Sequence, residues 1–244
     1  MKLKIDNAGA LSKAIDLISE LVSEVRLRVN EFGLSITAID PANVAMINFR
    51  IPKSSFSEFE TEKESLGVNL DSLKKILKRA GNNSSVILEK KEGMLEIIIE
   101  DKIRRSFKIS LIEVEGEEID FQSKIANMEF CSKIEITPAD LIAAIEDCSV
   151  VADSCLYKIE EKKFIIEAKG MNSARTEFSG DEATIKGEDA KSKYSLEYLS
   201  KFMKGGKLCE KIVLEFANDH PLKLDLKTPV TEMNFILAPR VETD

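Results

Sequence analysis

Hydrophobic positions along this chain follow two different spacings. In four segments they recur every three or four residues, which is typical of an amphipathic helix; elsewhere they alternate with polar residues, which is typical of half-buried strands. The four helical stripes begin near Leu11, Leu73, Leu141 and Leu199. One short strand precedes each helix and three follow it. The pattern therefore predicts a strand, helix and three-strand unit written four times, in an α+β fold.

Residues at the helix boundaries support this interpretation. Thr137 can cap the third helix, Pro138 suits the first helical position, and Asp140 complements the helix dipole. Glycines end helices because they adopt left-handed backbone conformations easily. We therefore expect the second helix to end at Gly81 and the fourth at Gly205 and Gly206.

The two halves of the chain match one another in register. The segment SITA (35–38) corresponds to IIEA (165–168), and VILE (86–89) corresponds to IVLE (212–215). Self-similarity of this kind indicates one structural unit that has been duplicated. We expect two similar domains.

A polar segment, 113–127, separates the two halves. Five acidic residues and one glycine lie within 113–120, which favours an extended surface linker. The predicted organisation is an N-terminal domain over 1–112, a connector over 113–127 and a C-terminal domain over 128–244.

The second helix of each half is basic although the chain is acidic. The sequence has 35 Lys and Arg against 43 Asp and Glu, a formal net charge of −8. The basic residues of these two helices are Lys74, Lys75, Lys78, Arg79, Lys201 and Lys204. The first helix, in contrast, sets Lys13 against Asp16 and Glu20.

A charged helix face is usually only a solvated face. Its recurrence in both halves favours a second interpretation, a positive strip that attracts a polyanion. The strip has no neighbouring aromatic residue for base stacking and no side-chain array for reading bases. We therefore expect contact with phosphates and no sequence preference.

Signs of catalysis or metal binding are weak. Cys131, Cys148, Cys155 and Cys209 are irregularly spaced, which favours buried reduced thiols over a zinc site or a disulfide framework. His220 is the only histidine, and its setting NDHPL is typical of a turn. Nucleotide-binding and hydrolase motifs are absent from the sequence. We expect no enzyme activity, no metal and no cofactor.

The bulk composition favours a soluble cytosolic protein. Hydrophobic residues make up 43% of the chain, and no apolar stretch approaches the ~18 residues of a membrane span. The first residues, MKLKID, lack the apolar run of a signal peptide. We expect no membrane association.

Three segments resemble the sliding clamps of the proliferating-cell-nuclear-antigen family. They are GVNLDSLKKILKRAG (67–81), LSITAIDPANVAM (34–46) and FILAPRVE (235–242). The likeness covers the whole chain, and the turn IDPANVAM is similar to the archaeal branch of the family.

The resemblance implies a function as well as a fold. It implies the DNA-clamp fold, with three chains forming a ring around duplex DNA, helices lining the hole and sheets forming the outer wall. Such a ring tethers DNA polymerase, flap endonuclease and DNA ligase to DNA, and a clamp loader opens it. In an archaeal cell it would be cytoplasmic and associated with the nucleoid.

The family pattern also implies two sets of site residues. The residues facing DNA would be Lys13, Lys75, Lys78 and Lys204, with Arg79 as an addition, and the charge pattern adds Lys74 and Lys201. The pocket for client peptides would be formed by Ile39, Asn43, Val44, Met46, Ile119, Pro221, Ile236, Ala238 and Pro239. For the apolar members of this pocket, and for Met46 and Ile236 above all, an ordinary core role is the alternative.

Some positions depart from the pattern of eukaryotic relatives. The third helix has Ala143, Glu146 and Val150 where those relatives carry basic residues or histidine, so its share in a DNA lining is in question. Ile236 replaces a tyrosine. In the connector, Glu117 and Glu118 leave Ile119 as the main apolar contact.

Two strands are candidates for the subunit interface by the same resemblance. They are RRSFKIS (104–110) and SARTEFS (173–179), which would pair edge to edge. The interface residues would be Arg104, Arg105, Phe107, Lys108, Ala174, Arg175, Glu177 and Phe178. Opposite charge on the two strands favours a homotrimer.

Three alternatives stay open at the level of the sequence. The chain could be one subunit of a hetero-trimeric clamp, an enzyme on a duplicated fold, or a protein-binding scaffold that never contacts DNA. The basic second helices argue against the scaffold.

Overall fold

The chain divides into two compact units. A computed structural model describes residues 1–81, 83–116, 118–207 and 209–241. The first unit comprises Met1–Pro41, Ile47–Asp120 and Pro229–Glu232, and the remaining residues form the second unit. Glu117 and Glu242, which belong to segments discussed above, lie outside the described residues.

In its described residues, the first unit has two helices, and its strands lie in two antiparallel sheets. Its helices are α1 (Gly9–Ile18) and α2 (Leu70–Leu77), and Lys53–Ser55 form a 3-10 turn. Its strands are β1 (Lys2–Ile5), β2 (Glu24–Asn30), β3 (Gly33–Ile39), β4 (Ala45–Pro52), β5 (Glu58–Glu60), β6 (Glu64–Asn69), β7 (Ser85–Lys91), β8 (Met94–Glu100) and β9 (Arg104–Ser110).

Strand order explains where the first unit keeps its core. One sheet runs β5-β1-β7-β8-β9, with β9 at its edge, and β4, β3, β2 and β6 follow one another in the other. Leu3 lies opposite Leu88 in the first sheet. Both side chains are buried, as are Ile15 of α1 and Leu77 of α2, so the helices and the sheets share an aliphatic core.

The second unit repeats this plan. It contains α3 (Phe121–Ile125), α4 (Pro138–Ser149) and α5 (Leu196–Gly206). Its strands are β10 (Ser132–Ile136), β11 (Ser154–Glu160), β12 (Lys163–Lys169), β13 (Ser173–Phe178), β14 (Ala183–Gly187), β15 (Ala190–Ser195), β16 (Ile212–Phe216), β17 (Leu222–Lys227) and β18 (Glu232–Leu237). One sheet follows the order β14-β10-β16-β17-β18, and the other follows β13-β12-β11-β15.

The second unit adds a cluster of aromatic rings to its aliphatic core, whereas the core of the first unit is almost wholly aliphatic. The ring of Tyr157 lies 5.4 Å from those of Phe164 and Tyr194 and 6.3 Å from that of Phe216, in edge-on geometry. Edge-on aromatic pairs contribute about 0.5–1.5 kcal/mol each beyond their buried area. The duplicated plan is thus filled by two different sets of side chains.

The predicted helices and the strands around them are confirmed. Thr137 caps α4, and its hydroxyl oxygen accepts a hydrogen bond from the Asp140 amide at 3.3 Å. Helix α5 ends at Gly206, as expected. The predicted end of α2 is wrong, because the helix stops at Leu77 and the amides of Arg79 and Ala80 bond three residues back, in a tightened final turn.

Several short elements escaped the sequence patterns. The connector, predicted to be extended, contains α3, which is anchored by the buried ring of Phe121. Strands β5 and β14 were also missed. They are three and five residues long and only partly buried, so they carry little alternation.

Two features bear on the functional classes considered above. Cys148 and Cys155 are buried, as predicted, whereas Cys131 and Cys209 are only half-buried. Burial raises the pKa of the Cys148 thiol to about 11. Among the described residues, no helix has the length and apolar character needed to cross a membrane.

Candidate nucleic-acid interface and client surface

Helix α2 presents its basic side chains on one face because its apolar residues are buried on the other. Its N-terminus is capped by Asn69, whose side-chain oxygen accepts a hydrogen bond from the Ser72 amide at 3.0 Å. Leu70, Leu73 and Leu77 are buried. The exposed residues are Asp71 in the first turn and, further along, the cations Lys75, Lys78 and Arg79, while Ser72, Lys74 and Ile76 are half-buried.

Asp16 of α1 holds two lysines, Lys74 of α2 and Lys78 directly after it. Its Oδ1 lies 2.8 Å from Nζ of Lys74 and 2.9 Å from Nζ of Lys78. Lys74 also donates a hydrogen bond to the Ser19 hydroxyl at 3.0 Å. The hydrogen bond from Lys74 is the main reason that the pKa of Asp16 lies below its ordinary value, with Lys78 adding to it. The two ammonium groups are therefore held in place, and part of their charge is offset.

Helix α5 holds its charge differently. Lys201 forms an ion pair with Glu197 of the same helix at 2.7 Å. Its ammonium also lies 5.1 Å from the centre of the Tyr198 ring. The expectation that the strip has no aromatic neighbour is therefore wrong in α5. Lys204 is exposed one helical turn further along.

Helices α1 and α4 contribute less positive charge than α2 and α5. Lys13 is exposed on α1. On α4 the exposed positions include Ala143, Glu146 and Asp147, and none of them is basic. The DNA-facing residues predicted from the sequence thus fall into two groups, one on α1 and α2 and one on α5.

Part of the predicted client pocket comes together in the second unit. The Ala238 amide donates a hydrogen bond to the Val44 carbonyl at 2.8 Å, which joins the IDPANVAM turn to the C-terminal strand segment. Asn43 takes a left-handed conformation in that turn, with φ of 55°. Val44, Ala238 and Pro239 are half-buried and available for contact, as is Pro221.

Two pocket residues are more buried than a binding surface requires. Met46 is 7% exposed and Ile236 is 6% exposed. Both therefore fit the alternative of a core role in this state of the chain. Ile39 and Ile119, which belong to the first unit, are half-buried.

The connector is fastened to the first unit by two arginines of β2. Arg26 Nη2 donates hydrogen bonds to the carbonyls of Val114 and Gly116, the latter at 2.6 Å. Arg28 Nη1 donates to the Ile119 carbonyl at 3.1 Å. These anchors were missed, although the outward-facing arginines of VRLRV (25–29) are their signal in the sequence.

A close backbone approach fixes the root of the connector. The Ile112 amide donates a hydrogen bond to the Gly67 carbonyl at 3.0 Å. A Cβ atom at Gly67 would lie 2.0 Å from the Ile112 carbonyl oxygen, so only glycine fits at this position. The connector is therefore held at its root by Gly67 and along its length by Arg26 and Arg28.

Both strands predicted to join subunits are sheet edges in their own units. Strand β9 ends one sheet and β13 ends another. Their charges, however, already have partners in the same chain. Arg104 pairs with Glu100 at 2.8 Å and Arg105 with Asp101 at 2.5 Å.

The acidic side of the predicted interface is also paired internally. Glu177 lies 2.7 Å from Arg175 and 3.2 Å from Lys163. Lys108 is exposed, Ala174 and Phe107 are half-buried, and Phe178 is buried. The edges themselves fit the sequence interpretation, and the interface assignment stays a prediction.

No cluster of His, Cys, Asp or Glu suited to a metal ion occurs within the described residues. His220 is half-buried in a turn, and its ring lies edge-on to that of Phe130 at 5.7 Å. Its carbonyl accepts hydrogen bonds from Ser192 and Tyr194. Its backbone thus helps to hold the loop in place.

Known proteins resemble this chain in both sequence and fold. The family model for the N-terminal domain of proliferating cell nuclear antigen matches residues 1–123. A protein named DNA polymerase sliding clamp from Pyrococcus furiosus is 34% identical, over 99% of this chain and 98% of the relative. DNA polymerase sliding clamp 1 from Thermococcus kodakarensis is 32% identical, over 97% of each.

Solved structures agree with these matches. Proliferating cellular nuclear antigen from Entamoeba histolytica has a TM-score of 0.90 at 22% identity and covers 98% of both chains, which shows the DNA-clamp fold. A chain of the PCNA2-PCNA3 complex from Sulfolobus tokodaii has a TM-score of 0.87 at 28% identity, covering 99% of this chain and all of that one. The chain therefore belongs to the proliferating cell nuclear antigen family of sliding clamps, in its archaeal branch.

Proposed function

We propose that this chain is a DNA sliding clamp, which encircles duplex DNA as a ring of three copies and tethers DNA polymerase to it. The observation that carries the proposal is the segregation of charge. A chain with a net charge of −8 collects exposed lysine and arginine on the faces of α2 and α5. Positive strips on an acidic body attract polyanions there and repel them elsewhere.

Contact with DNA is weak and independent of sequence in this proposal. The few exposed cations of each chain neutralise few phosphates, so binding to open linear DNA should be no tighter than the ~10⁻⁴–10⁻⁶ M of non-specific proteins. Retention on DNA then comes from topology, and the chain tethers without catalysing a reaction.

The two domains and the connector of the clamp correspond to the duplicated halves of the chain and the segment between them. Residues 1–112 and 128–244 act as the two clamp domains, and 113–127 act as the connector against which client peptides dock. The clients are DNA polymerase, flap endonuclease and DNA ligase, and a clamp loader opens the ring on the nucleoid. Support for the client surface comes from the half-buried residues Val44, Ala238 and Pro239 of the second unit.

Light scattering tests the assembly. Three times the chain mass of 27.3 kDa gives an expected particle of 81.9 kDa. Edge pairing of β9 with β13 supplies main-chain hydrogen bonds, and the flanking ion pairs add only about 0–1 kcal/mol each. A particle that stays at 27.3 kDa at micromolar concentration would refute the homotrimer and favour a clamp with distinct partner chains.

Titration calorimetry tests the client surface. Val44→Glu places a charge on the half-buried turn and should weaken binding of a flap-endonuclease tail peptide by several kcal/mol, because the charge is desolvated on binding. Thermal unfolding of the variant is the control for its fold. Equal affinity in the variant and the parent would place the client pocket elsewhere.

A further inference from the structure

A groove of about 620 Å³ lies on one sheet of the second unit, outside the helix faces described above. Strands β11, β12 and β15 form its base, and the segment after β18 forms one wall. It is lined by Ser154, Leu156, Glu167, Ala168, Lys169, Lys191, Lys193, Asp219, Pro239, Arg240 and Val241. This volume is within the range of about 300–1,000 Å³ that binding pockets commonly have.

The groove opens on the face of the sheet that points away from α4 and α5. Along β11, Cys155 and Tyr157 are buried, and the alternate residue Leu156 is half-exposed in the groove. Leu156 pairs with Glu167 on one side and with Lys193 on the other. An apolar side chain at the base therefore has charged neighbours on both sides.

Positive charge predominates in this groove. Lys169 and Lys191 are exposed, and neither forms an ion pair within the described part of the chain. Glu167, the acid at the base, is held by Arg175 at 2.8 Å, so its charge is offset from outside the groove. Asp219 is the other acidic residue in the lining.

Both walls are fixed by hydrogen bonds. The Arg240 amide donates to the Lys193 carbonyl at 2.7 Å, and the Arg240 guanidinium pairs with Asp153 at 2.6 Å. Opposite it, the Asp219 amide donates to the Lys191 carbonyl at 3.0 Å. The groove is therefore already formed, and a ligand would lose little entropy in ordering it.

We propose that this groove binds an acidic segment that flanks the apolar anchors of a client peptide. The inference rests on the proposed client surface, because Pro239 belongs both to that surface and to the groove wall. A peptide anchored at Pro239 brings its neighbouring residues to Lys169 and Lys191. Carboxylates there meet unpaired ammonium groups, and the apolar base at Leu156 accepts a small aliphatic side chain.

Calorimetry with two matched peptides tests the proposal. Both carry the same aliphatic and aromatic anchors, and one flank has four glutamates in the first peptide and four serines in the second, with each flank tried at either end. At low salt we expect the glutamate peptide to bind about fivefold to tenfold more tightly. The gain is modest because exposed ion pairs are individually weak, and tenfold corresponds to about 1.4 kcal/mol.

A double charge reversal tests whether the tighter binding of the glutamate peptide depends on the lysines of the groove. Lys169→Glu with Lys191→Glu should abolish the preference for the glutamate peptide and leave the affinity of the serine peptide unchanged. Lys162→Glu with Lys186→Glu is the matched control, since both lysines are exposed in the same unit and do not line the groove. The control should keep the preference in full.

The outcomes separate this inference from the function on which it rests. If neither peptide binds the parent protein, the client surface is wrong. If both bind equally well, or if the control abolishes the preference as the groove variant does, the groove proposal is overturned and the client surface stands. A loss of duplex binding in the groove variant, with no peptide preference in the parent, would instead make the groove a nucleic-acid contact and would also overturn the proposal.

Discussion

The two units use the same plan but hold their positive charge in different ways. In the first unit the charge is shared across a pair of helices, because Asp16 of α1 binds Lys74 of α2 and Lys78, which directly follows α2. In the second unit Lys201 is held from within α5, by Glu197 and by the ring of Tyr198.

The difference shows that a cation fixed by an ion pair and a cation free to contact phosphate have different roles. Asp16 fixes where two ammonium groups stand and offsets part of their charge, so the strip on α2 depends on Lys75 and Arg79 for cations without that restraint. The partner helix in the second unit, α4, adds no cation and exposes Glu146 and Asp147. We therefore expect the first unit to contribute more of the contact with DNA.

The largest expected effect comes from reversing the charges of one unit at a time, which compares the contributions of the two units to DNA contact. Lys75→Glu with Arg79→Glu should reduce stimulation of polymerase in primer extension by tenfold or more, because each chain offers few phosphate contacts and reversal replaces attraction by repulsion. Lys201→Glu with Lys204→Glu should cost only a few-fold. Primer extension measured at several salt concentrations gives both results.

The control for this pair is the reversal of Lys162 and Lys186, which are exposed outside the helices. It makes the same change in net charge and should leave stimulation intact. A greater loss in the α5 variant than in the α2 variant would contradict the assignment of the main contact to the first unit.

Asp16→Asn should have a smaller effect, and one of opposite sign on DNA contact. Removing the carboxylate frees the ammonium groups of Lys74 and Lys78, so duplex binding should tighten by a few-fold at low salt. Stability should fall by no more than about 1 kcal/mol, because the pair is partly exposed and screened. Asp147→Asn on α4 removes an exposed charge without breaking an ion pair and is the matched control. Weaker duplex binding in Asp16→Asn would contradict the idea that Asp16 offsets part of the charge of Lys74 and Lys78.

Stability against acid gives a third test. Lys74 and Lys78 lower the pKa of Asp16, so the contribution of this carboxylate is complete above its unfolded pKa of about 3.9 and is lost as pH falls through the lower folded value. The difference in unfolding free energy between the parent and Asp16→Asn should therefore shrink below pH ~4. Denaturant titrations across that range measure it, and a gap that widened with acid would contradict the pairing.

The smallest expected effect concerns α5. Glu197→Gln removes one ion pair between residues four apart on an exposed helix, which contributes about 0.3–0.5 kcal/mol. Denaturant unfolding should show a change of that size in the free energy of unfolding. Primer extension should show no loss of polymerase stimulation. A cost above that of Asp16→Asn would reverse the comparison between the units.

Periodicity predicted the helices and most strands because a helix buries a hydrophobic residue every three or four positions and a strand buries every second one. It also placed Lys75 and Arg79 on an outward face opposite Leu73 and Leu77. It could not find the partner of Lys74, since the spacing of one helix does not say which neighbour it packs against. Asp16 becomes a partner only when α1 and α2 pack together.

Long-range contacts account for the rest of what the sequence did not show. Arg26 and Arg28 were part of a correctly predicted strand, yet their hydrogen bonds reach carbonyls about 90 residues further along the chain. The charges on the edge strands were predicted to pair with those of another subunit, but Arg104 and Arg105 pair with acidic residues of the same chain. Cross-strand neighbours of this kind depend on register, which alternation alone does not fix.

Encirclement of DNA is the central claim, and retention on a closed circle measures it most directly. The clamp would be loaded onto nicked circular duplex by a clamp loader, and the complex would then be washed with high salt. We expect the protein to stay on the circle, because screening removes phosphate contacts but cannot open a ring, and to be released when a restriction enzyme linearises the DNA. Release from the intact circle by salt alone would contradict the account.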